Sequence, residues 1–262
     1  MAKAAPQPTA RLLASIASSL DAPAGLAPFL DRVFAPLDSL GAMPRRSAVL
    51  LGPFVRAGRH TRVLDAACGK GAVGIALAKQ AGCRVFGFDA YPPFIAAARL
   101  AAERAGIGPI YRFECDTAES FFARPHRFDI AAMLNLWPVA RAARAMHSAV
   151  RPGGVYLIDD ATLDASHTDA RRFDSAPTPE EAARTIEGTG DTVLRVFRPT
   201  PSMIARQNAS LYRRIETAAS ALAAEHPKLR GAIRELLSRQ KRSNVILVGP
   251  LRPTMWVVRR AR

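Results

Sequence analysis

Acidic residues are scarce in this chain. Its 22 Asp and Glu stand against 37 Lys and Arg, leaving a formal charge of +15 over 262 residues. Aromatics make up only 7% and cysteines number three. No apolar run approaches the roughly 20 residues that a bilayer-spanning helix requires. Cys68, Cys83 and Cys115 form no CxxC pair and no compact Cys/His group. That removes the sequence patterns for structural zinc and for a disulfide framework, and no metal is expected. The opening stretch MAKAAPQPTARLLASIASSL lacks the continuous apolar core of a secretory signal. With so few cysteines, the expected location is cytoplasmic. The 17 Gly and 20 Pro follow no period, which excludes a fibrous chain.

What is present suits a globular fold. Hydrophobic residues make up 49% of the chain, enough for one large α/β domain or such a domain plus a small cap. The positive charge is uneven: Lys228–Arg262 holds ten Lys or Arg and the single acid Glu235. Such a balance admits an acidic partner such as RNA. A solvated basic face on an Arg-rich protein accounts for it equally simply and carries more weight, because net charge speaks to attraction and not to chemistry.

The hydrophobic pattern divides the chain. Residues 1–60 carry apolar residues at helical spacings, over Leu26–Leu40 and Ser47–Val55, and read as a helical N-terminal segment. From Thr61 to Asp160, strand-like and helical runs alternate, the pattern of βαβ units. The strands are TRVLDAA, CRVFGFDA, YRFEC, FDIAAMLNL and VYLIDD, the last preceded by the turn RPGG. Residues 161–240 break that rhythm with a long excursion, a short strand candidate TVLRVFRP and two helices, the first with Ile204, Leu211, Ile215 and Leu222 on one face. They read as a substrate cap. NVILVGPL and TMWVVRR, within 241–262, read as two closing strands in an antiparallel hairpin. The expected fold is a doubly wound α/β architecture.

VLDAACGKG places Asp65 at a strand end, then a turn of small residues, then a helix start. Small side chains let backbone approach a ligand, and the helix offers free N–H groups. Asp89 ends the next strand about twenty residues on, the spacing of an acid that holds ribose hydroxyls. Asp116 ends the third strand, within reach of an adenine amino group. Three acids suit a nucleoside without a phosphate tail, since Asp65 would repel pyrophosphate.

These segments resemble the class I S-adenosylmethionine-dependent methyltransferases. VLDAACGKG is similar to their first motif, with Asp65 as the acid, Ala67 at the first glycine position, and Gly69 and Gly71 at the others. FGFDA resembles the second motif through Asp89, and FECDTAES the third through Cys115, Asp116 and Thr117. RPGGVYLIDD resembles the fifth strand with its preceding turn. The resemblance covers residues 45–160 well and the C-terminal strands more weakly. It implies a seven-stranded, mainly parallel sheet with an antiparallel C-terminal edge strand, a lid after strand five, and S-adenosylmethionine as cofactor. The residues it assigns to the cofactor are Asp65, Ala67, Gly69, Gly71, Asp89, Asp116 and Thr117, to which Tyr91 and Asn135 are added by position. The competing pattern is Gly69-Lys70-Gly71-Ala72-Val73-Gly74, a dinucleotide-type GxGxxG that starts four residues past the strand.

Candidates for catalysis are fewer. Asp159 and Asp160 end the fifth strand, and Asp160 is the candidate that would orient or deprotonate an acceptor. His167 opens the excursion and is the candidate base near neutral pH. Asn135-Leu136-Trp137-Pro138 follows the fourth strand and only partly resembles the Asn-Pro-Pro-aromatic motif of amino-group methyltransferases, so it assigns no acceptor. Cys68 reads as packed, Lys70 as solvent-facing. The expected activity is methyl transfer to a small molecule, with RNA methylation as the alternative, and an NAD(P)-dependent oxidoreductase or a non-catalytic cofactor-binding protein behind both. The sequence leaves the oligomeric state open.

Overall fold

The computed structural model describes residues 9–39 and 57–262. The Ser47–Val55 helix expectation lies outside them.

Two short helices open the described chain, α1 (Ala10–Ser19) and α2 (Leu30–Val33), with a 3-10 stretch at Ala24–Phe29. The α/β alternation follows: β1 (Arg62–Ala66), α3 (Ala72–Ala81), β2 (Arg84–Asp89), α4 (Pro92–Arg104), β3 (Tyr111–Cys115), α5 (Ala118–Phe122), β4 (Phe128–Met133), α6 (Val139–Ala149) and β5 (Val150–Leu163). The remainder is α7 (Pro179–Glu187), β6 (Thr192–Phe197), α8 (Pro201–Glu225), α9 (Arg230–Val248) and β7 (Leu251–Arg259).

The seven strands form one sheet in the order β3-β2-β1-β4-β5-β7-β6. β1 to β5 pair in parallel, and β7 runs antiparallel to both neighbours, Leu157 facing Val257 and Val196 facing Trp256. The order reverses at β1, so β1 lies between β2 and β4 and the crevice opens at its carboxyl end. RPGG falls where the β4–β5 register slips between Phe128 and Ile130, with Gly153 at φ 74°.

Two expectations are corrected. NVILV is not a strand: Asn244–Val248 is the last turn of α9, which runs past Gln240 to Val248. The partner of the last strand is instead Thr192–Phe197, inside the presumed cap excursion. The closing pair is therefore split by the α8–α9 helices and is not a hairpin. The C-terminal strand is antiparallel, and it lies one position in from the edge, between β5 and β6.

Hydrophobic burial organises the layers. One core packs α3 and α4 against the sheet through Leu77, Ile95 and Ala98 over Val63, Val85 and Ile130. The other packs α5, α6 and α7 through Phe121, Met146 and Ile186 over Leu64, Phe88 and Trp256. A third cluster joins the N-terminal helices to α8 and α9: Leu26, Leu30 and Phe34 pack with Ile215, Leu222 and Leu236. Tyr91 and Phe94 tie this cluster to the start of α4. Two sequence-distant segments thus make one helical cap beside the carboxyl ends of the strands. Among the described residues no single helix is long and apolar enough to cross a membrane.

Candidate active site

The carboxyl ends of β1 to β4 and the helical cap enclose a cavity of about 490 Å³, within the range of small-ligand pockets. Asp65, Ala67, Gly69, Asp89, Asp116 and Asn135 line it. Six residues expected at a cofactor therefore meet at one place.

Each is held there by backbone geometry. Ala67 and Gly69 take φ values of 51° and 53°, and Gly71 caps α3 at φ 77°. This left-handed run turns the chain sharply enough for backbone to face the cavity. The strain of a non-glycine residue at Ala67 is tolerated because the turn is pinned: Gly69 N donates to Asp89 Oδ2 at 2.9 Å. Tyr91 N donates to the other oxygen, Oδ1, at 2.9 Å. Asp89 thus stitches the β1 turn to the β2 end. A carboxylate has about four acceptor positions, so these backbone bonds do not exhaust it. Burial pushes the Asp89 carboxyl above its ordinary pKa, and backbone hydrogen bonds oppose the shift.

Asp65 is 4% exposed and accepts from Gly74 N at 2.9 Å and from the Tyr111 hydroxyl at 2.6 Å, both on Oδ2. Burial raises its pKa to about 6 against those two hydrogen bonds. Tyr111 had no sequence signal beyond its place at the start of β3, yet it fixes this acid. Gly74 has its own explanation: a Cβ there would stand 2.3 Å from the Tyr111 hydroxyl and 2.8 Å from Asp65 Oδ2. The third glycine of the GxGxxG string is thus required by packing, with no dinucleotide involved. Cys68 sits in the turn, its thiol pushed well up by burial and by Asp65 and Asp89, so it stays protonated and is no nucleophile.

Three other expected residues, Gly71, Tyr91 and Thr117, lie off the cavity wall. Gly71 is not on the cavity wall; it lies against the Phe113 ring, which a Cβ would meet at 3.2 Å. Tyr91 turns its ring into the helical cap, edge-on to Phe94, with its hydroxyl 3.4 Å from Asp31 Oδ1. Thr117 caps α5, accepting from Ser120 N at 3.2 Å. Asp116 lines the cavity and is also ion-paired to Arg124. Asn135, at φ 54°, is held by its N–H on Asp159 Oδ1 at 2.7 Å.

The two catalytic candidates do not reach the cavity wall. Asp160 accepts from Val139 N and Ala161 N, both at 2.8 Å, and so anchors the first residue of α6. A carboxylate at a helix start is a common structural device. His167 lies in the loop after β5, where Nδ1 accepts from Asp169 N at 3.1 Å and the ring abuts Gly249. Trp137 stacks under the Arg141 guanidinium at 3.7 Å and is likewise off the wall. Lys70 does not face solvent: Nζ donates to Phe34 O at 2.7 Å and Ala35 O at 3.1 Å, clamping the end of α2 onto the glycine turn.

The cap supplies the walls that sequence reading missed. Phe34 and Leu37 come from the N-terminal segment, and Asn208, Leu211, Ile215 and Leu247 from α8 and α9. Ser243 donates to Asp21 Oδ2 at 2.7 Å and Gln240 to Leu20 O at 3.1 Å, tying α9 to the end of α1. Among the described lining residues the charged groups are five aspartates and one lysine, with no arginine. In a chain of net charge +15 the cavity is therefore acidic.

Residues 63–154 match the family model described as a methyltransferase domain. A ubiquinone biosynthesis O-methyltransferase from Cereibacter sphaeroides is 35% identical over 102 residues, covering 37% of this chain and 39% of that protein. The match thus spans about two fifths of the curated relative. A methyltransferase from Geobacter sulfurreducens, solved with S-adenosyl-L-homocysteine, superposes with a TM-score of 0.73 at 19% identity, covering 87% of this chain and 96% of the other. The [4+2]-cyclase SpnF covers 100% of this chain and 99% of its own at TM-score 0.69 and 16% identity. At such identities these two likenesses are of fold. Residues 63–154 are thus similar to a methyltransferase domain, and the fold is that of the S-adenosylmethionine-dependent methyltransferase on which the chain superposes.

Proposed function

We propose that the protein transfers a methyl group from S-adenosylmethionine to a small organic acceptor. The observation that carries this is the acidic, apolar-walled cavity over the glycine turn. A cationic sulfonium nucleoside suits five aspartates, whereas the pyrophosphate of NAD would meet Asp65 and Asp89. Asp89 keeps free acceptor positions for a ribose, Asp116 for an adenine amino group, and the turn brings backbone close to the ligand. The cofactor supplies the electrophilic methyl group, and no covalent enzyme intermediate is needed. The chain's own part is to hold the acceptor in line and exclude water, for which the helical cap is placed.

The same observation weighs against RNA as acceptor. Arg62, Arg84 and Arg112 do share a second hollow with Arg124, but these three sit at or near the starts of β1 to β3, at the other end of the sheet, and of the four Arg124 alone reaches a cavity residue, where it is paired with Asp116. A polyanion gathered there would be remote from the carboxyl ends of the strands. The relative's name supports a hydroxyl oxygen of a small molecule as the attacking atom.

Calorimetry tests the cofactor reading. S-adenosylhomocysteine is expected to bind in the micromolar range, with NAD undetectable. Asp89→Asn, which retains one backbone acceptor, is expected to weaken binding at least tenfold, the loss of a charge-assisted hydrogen bond. Preference for NAD would overturn the reading.

A further inference from the structure

We infer that the hollow at the starts of β1 to β3 is a second binding site, one that takes the phosphate chain of a small polyphosphate such as a nucleoside triphosphate. It goes beyond the methyl-transfer reading and does not depend on it. The strand registers build it. Arg62 of β1 faces Arg84 of β2, and Phe86, two residues on, faces Arg112 of β3. Residues two apart on a strand point to one face of the sheet, as do parallel neighbours in register. That is the face on which Leu64 and Phe88 are buried, with Phe86 partly buried beside them. A parallel sheet is normally covered on both faces. Here α5, which follows β3, has only five residues, and three exposed arginines stand where a longer helix would lie.

The hollow has a volume of about 430 Å³, the size of a small-ligand site. Arg124 on its rim is already answered: it pairs with Asp116 and lies 3.8 Å from Glu114, the one acid among the described lining residues. Among the described residues the guanidiniums of Arg62, Arg84 and Arg112 have no ion pair and no hydrogen bond. Arg112 lies over the Phe86 ring at 5.8 Å and Arg62 over Phe128 at 5.4 Å, contacts that hold the charges in place without using their N–H donors. Like charges on facing strand positions repel, so the arrangement is unfavourable until an anion enters, and a recess lined by one sign of charge gathers anions. A guanidinium fork matches phosphate oxygens. Neighbouring strands stand about 5 Å apart, so a chain with a charge at each link can meet all three arginines. A lipid surface suits the site less well, because the exposed large apolar residues Leu100, Val196 and Val245 all lie outside the hollow.

UTP and inorganic tripolyphosphate are the probes, since neither carries an adenosine for the cavity. Each is titrated by calorimetry into the whole chain at low salt, with sodium chloride of matched ionic strength as the blank for screening. Saturable binding is expected, and S-adenosylhomocysteine is expected not to compete with it. Arg84→Gln and Arg112→Gln should each weaken it about tenfold, the loss of one charge-assisted pair. Arg234→Gln, an exposed arginine of α9, should leave it unchanged. The free Arg84→Gln protein should melt no lower than the parent, because a like-charge pair has been relieved. Tighter binding of UTP would assign the site to a nucleotide, and equal or tighter binding of tripolyphosphate to inorganic polyphosphate; both support a phosphate-chain site. No binding beyond the blank, an equal loss in Arg234→Gln, competition by S-adenosylhomocysteine, or a lowered melting temperature in Arg84→Gln overturns the inference. So does a single-stranded oligonucleotide that binds through Arg84 and Arg112 more tightly than UTP, which would make the hollow part of an RNA surface.

Discussion

At the scale of single residues, the site is a set of hydrogen bonds that bind neighbouring turns to each other before they bind anything else. Asp89 holds two backbone N–H groups and Asp65 holds one, plus the Tyr111 hydroxyl. Gly74 makes the last of these possible by leaving room for the tyrosine ring, which is stacked on Phe113 at 3.9 Å and cannot retreat. Gly74→Ala should therefore cost about 1–3 kcal/mol by overpacking and weaken S-adenosylhomocysteine binding as Asp65 is displaced. Gly82→Ala is the comparison: nothing lies within 4 Å of its would-be Cβ, and only the positive φ of 61° opposes it. Its cost should be about 1 kcal/mol with no effect on ligand binding. Thermal melts and calorimetry on the two variants check this, and equal losses in both would count against the Tyr111–Asp65 account.

At the scale of elements, the ends of β4 and β5 are coupled through Asp159. This carboxylate is 6% exposed, accepts the Asn135 N–H, and sits beside Asp160. Burial first, then the neighbouring acid, raises its pKa to about 7. A carboxyl with a folded pKa above its unfolded one binds more protons in the native state between the two values, so its contribution to stability falls as pH rises through that window. Asp159→Asn mimics the protonated form and still accepts from Asn135. Its melting temperature should exceed the parent's by an amount that grows between about pH 4 and pH 7 and is level above. A gain that is independent of pH would show that Asp159 is not protonated in the native protein. Asp65 follows the same sign with its window closing near pH 6. Legibility from sequence differed sharply between elements. The Asp65 turn and the Asp89 strand end were readable because strand, turn and helix follow one another within a few residues. NVILV was misread because a short β-branched run fits a strand or the end of a buried helix equally well by periodicity. It continues α9 with no breaker until Gly249 and Pro250, and places Leu247 on the cavity wall.

At the scale of the whole molecule, charge is partitioned. The surface carries the excess of arginine, while the cavity carries aspartate. Single-stranded RNA should therefore bind weakly through surface arginines, with affinity falling linearly in log salt. It should neither compete with S-adenosylhomocysteine nor accept methyl groups. Filter binding across a salt series, with and without the cofactor product, checks this; competition at the cofactor site would revive the RNA reading. The cap is a property of the whole chain, since it is built from residues 17–37 and 211–237 packed together.

The sequence by itself determined the strand–turn–helix alternation, the three acids at strand ends and the nucleoside character of the ligand, because each depends on local spacing. Only the tertiary structure decided that Asp160 anchors α6, that Tyr91 belongs to the cap and that Lys70 clamps it. It also decided that β6, and not Asn244–Val248, pairs with β7. Asn208 shows the reason most clearly: a polar residue in the middle of a helix reads as solvent-facing until a second helix and a distant N-terminal segment close over it. Burial of that kind is set by long-range packing, which no local pattern encodes.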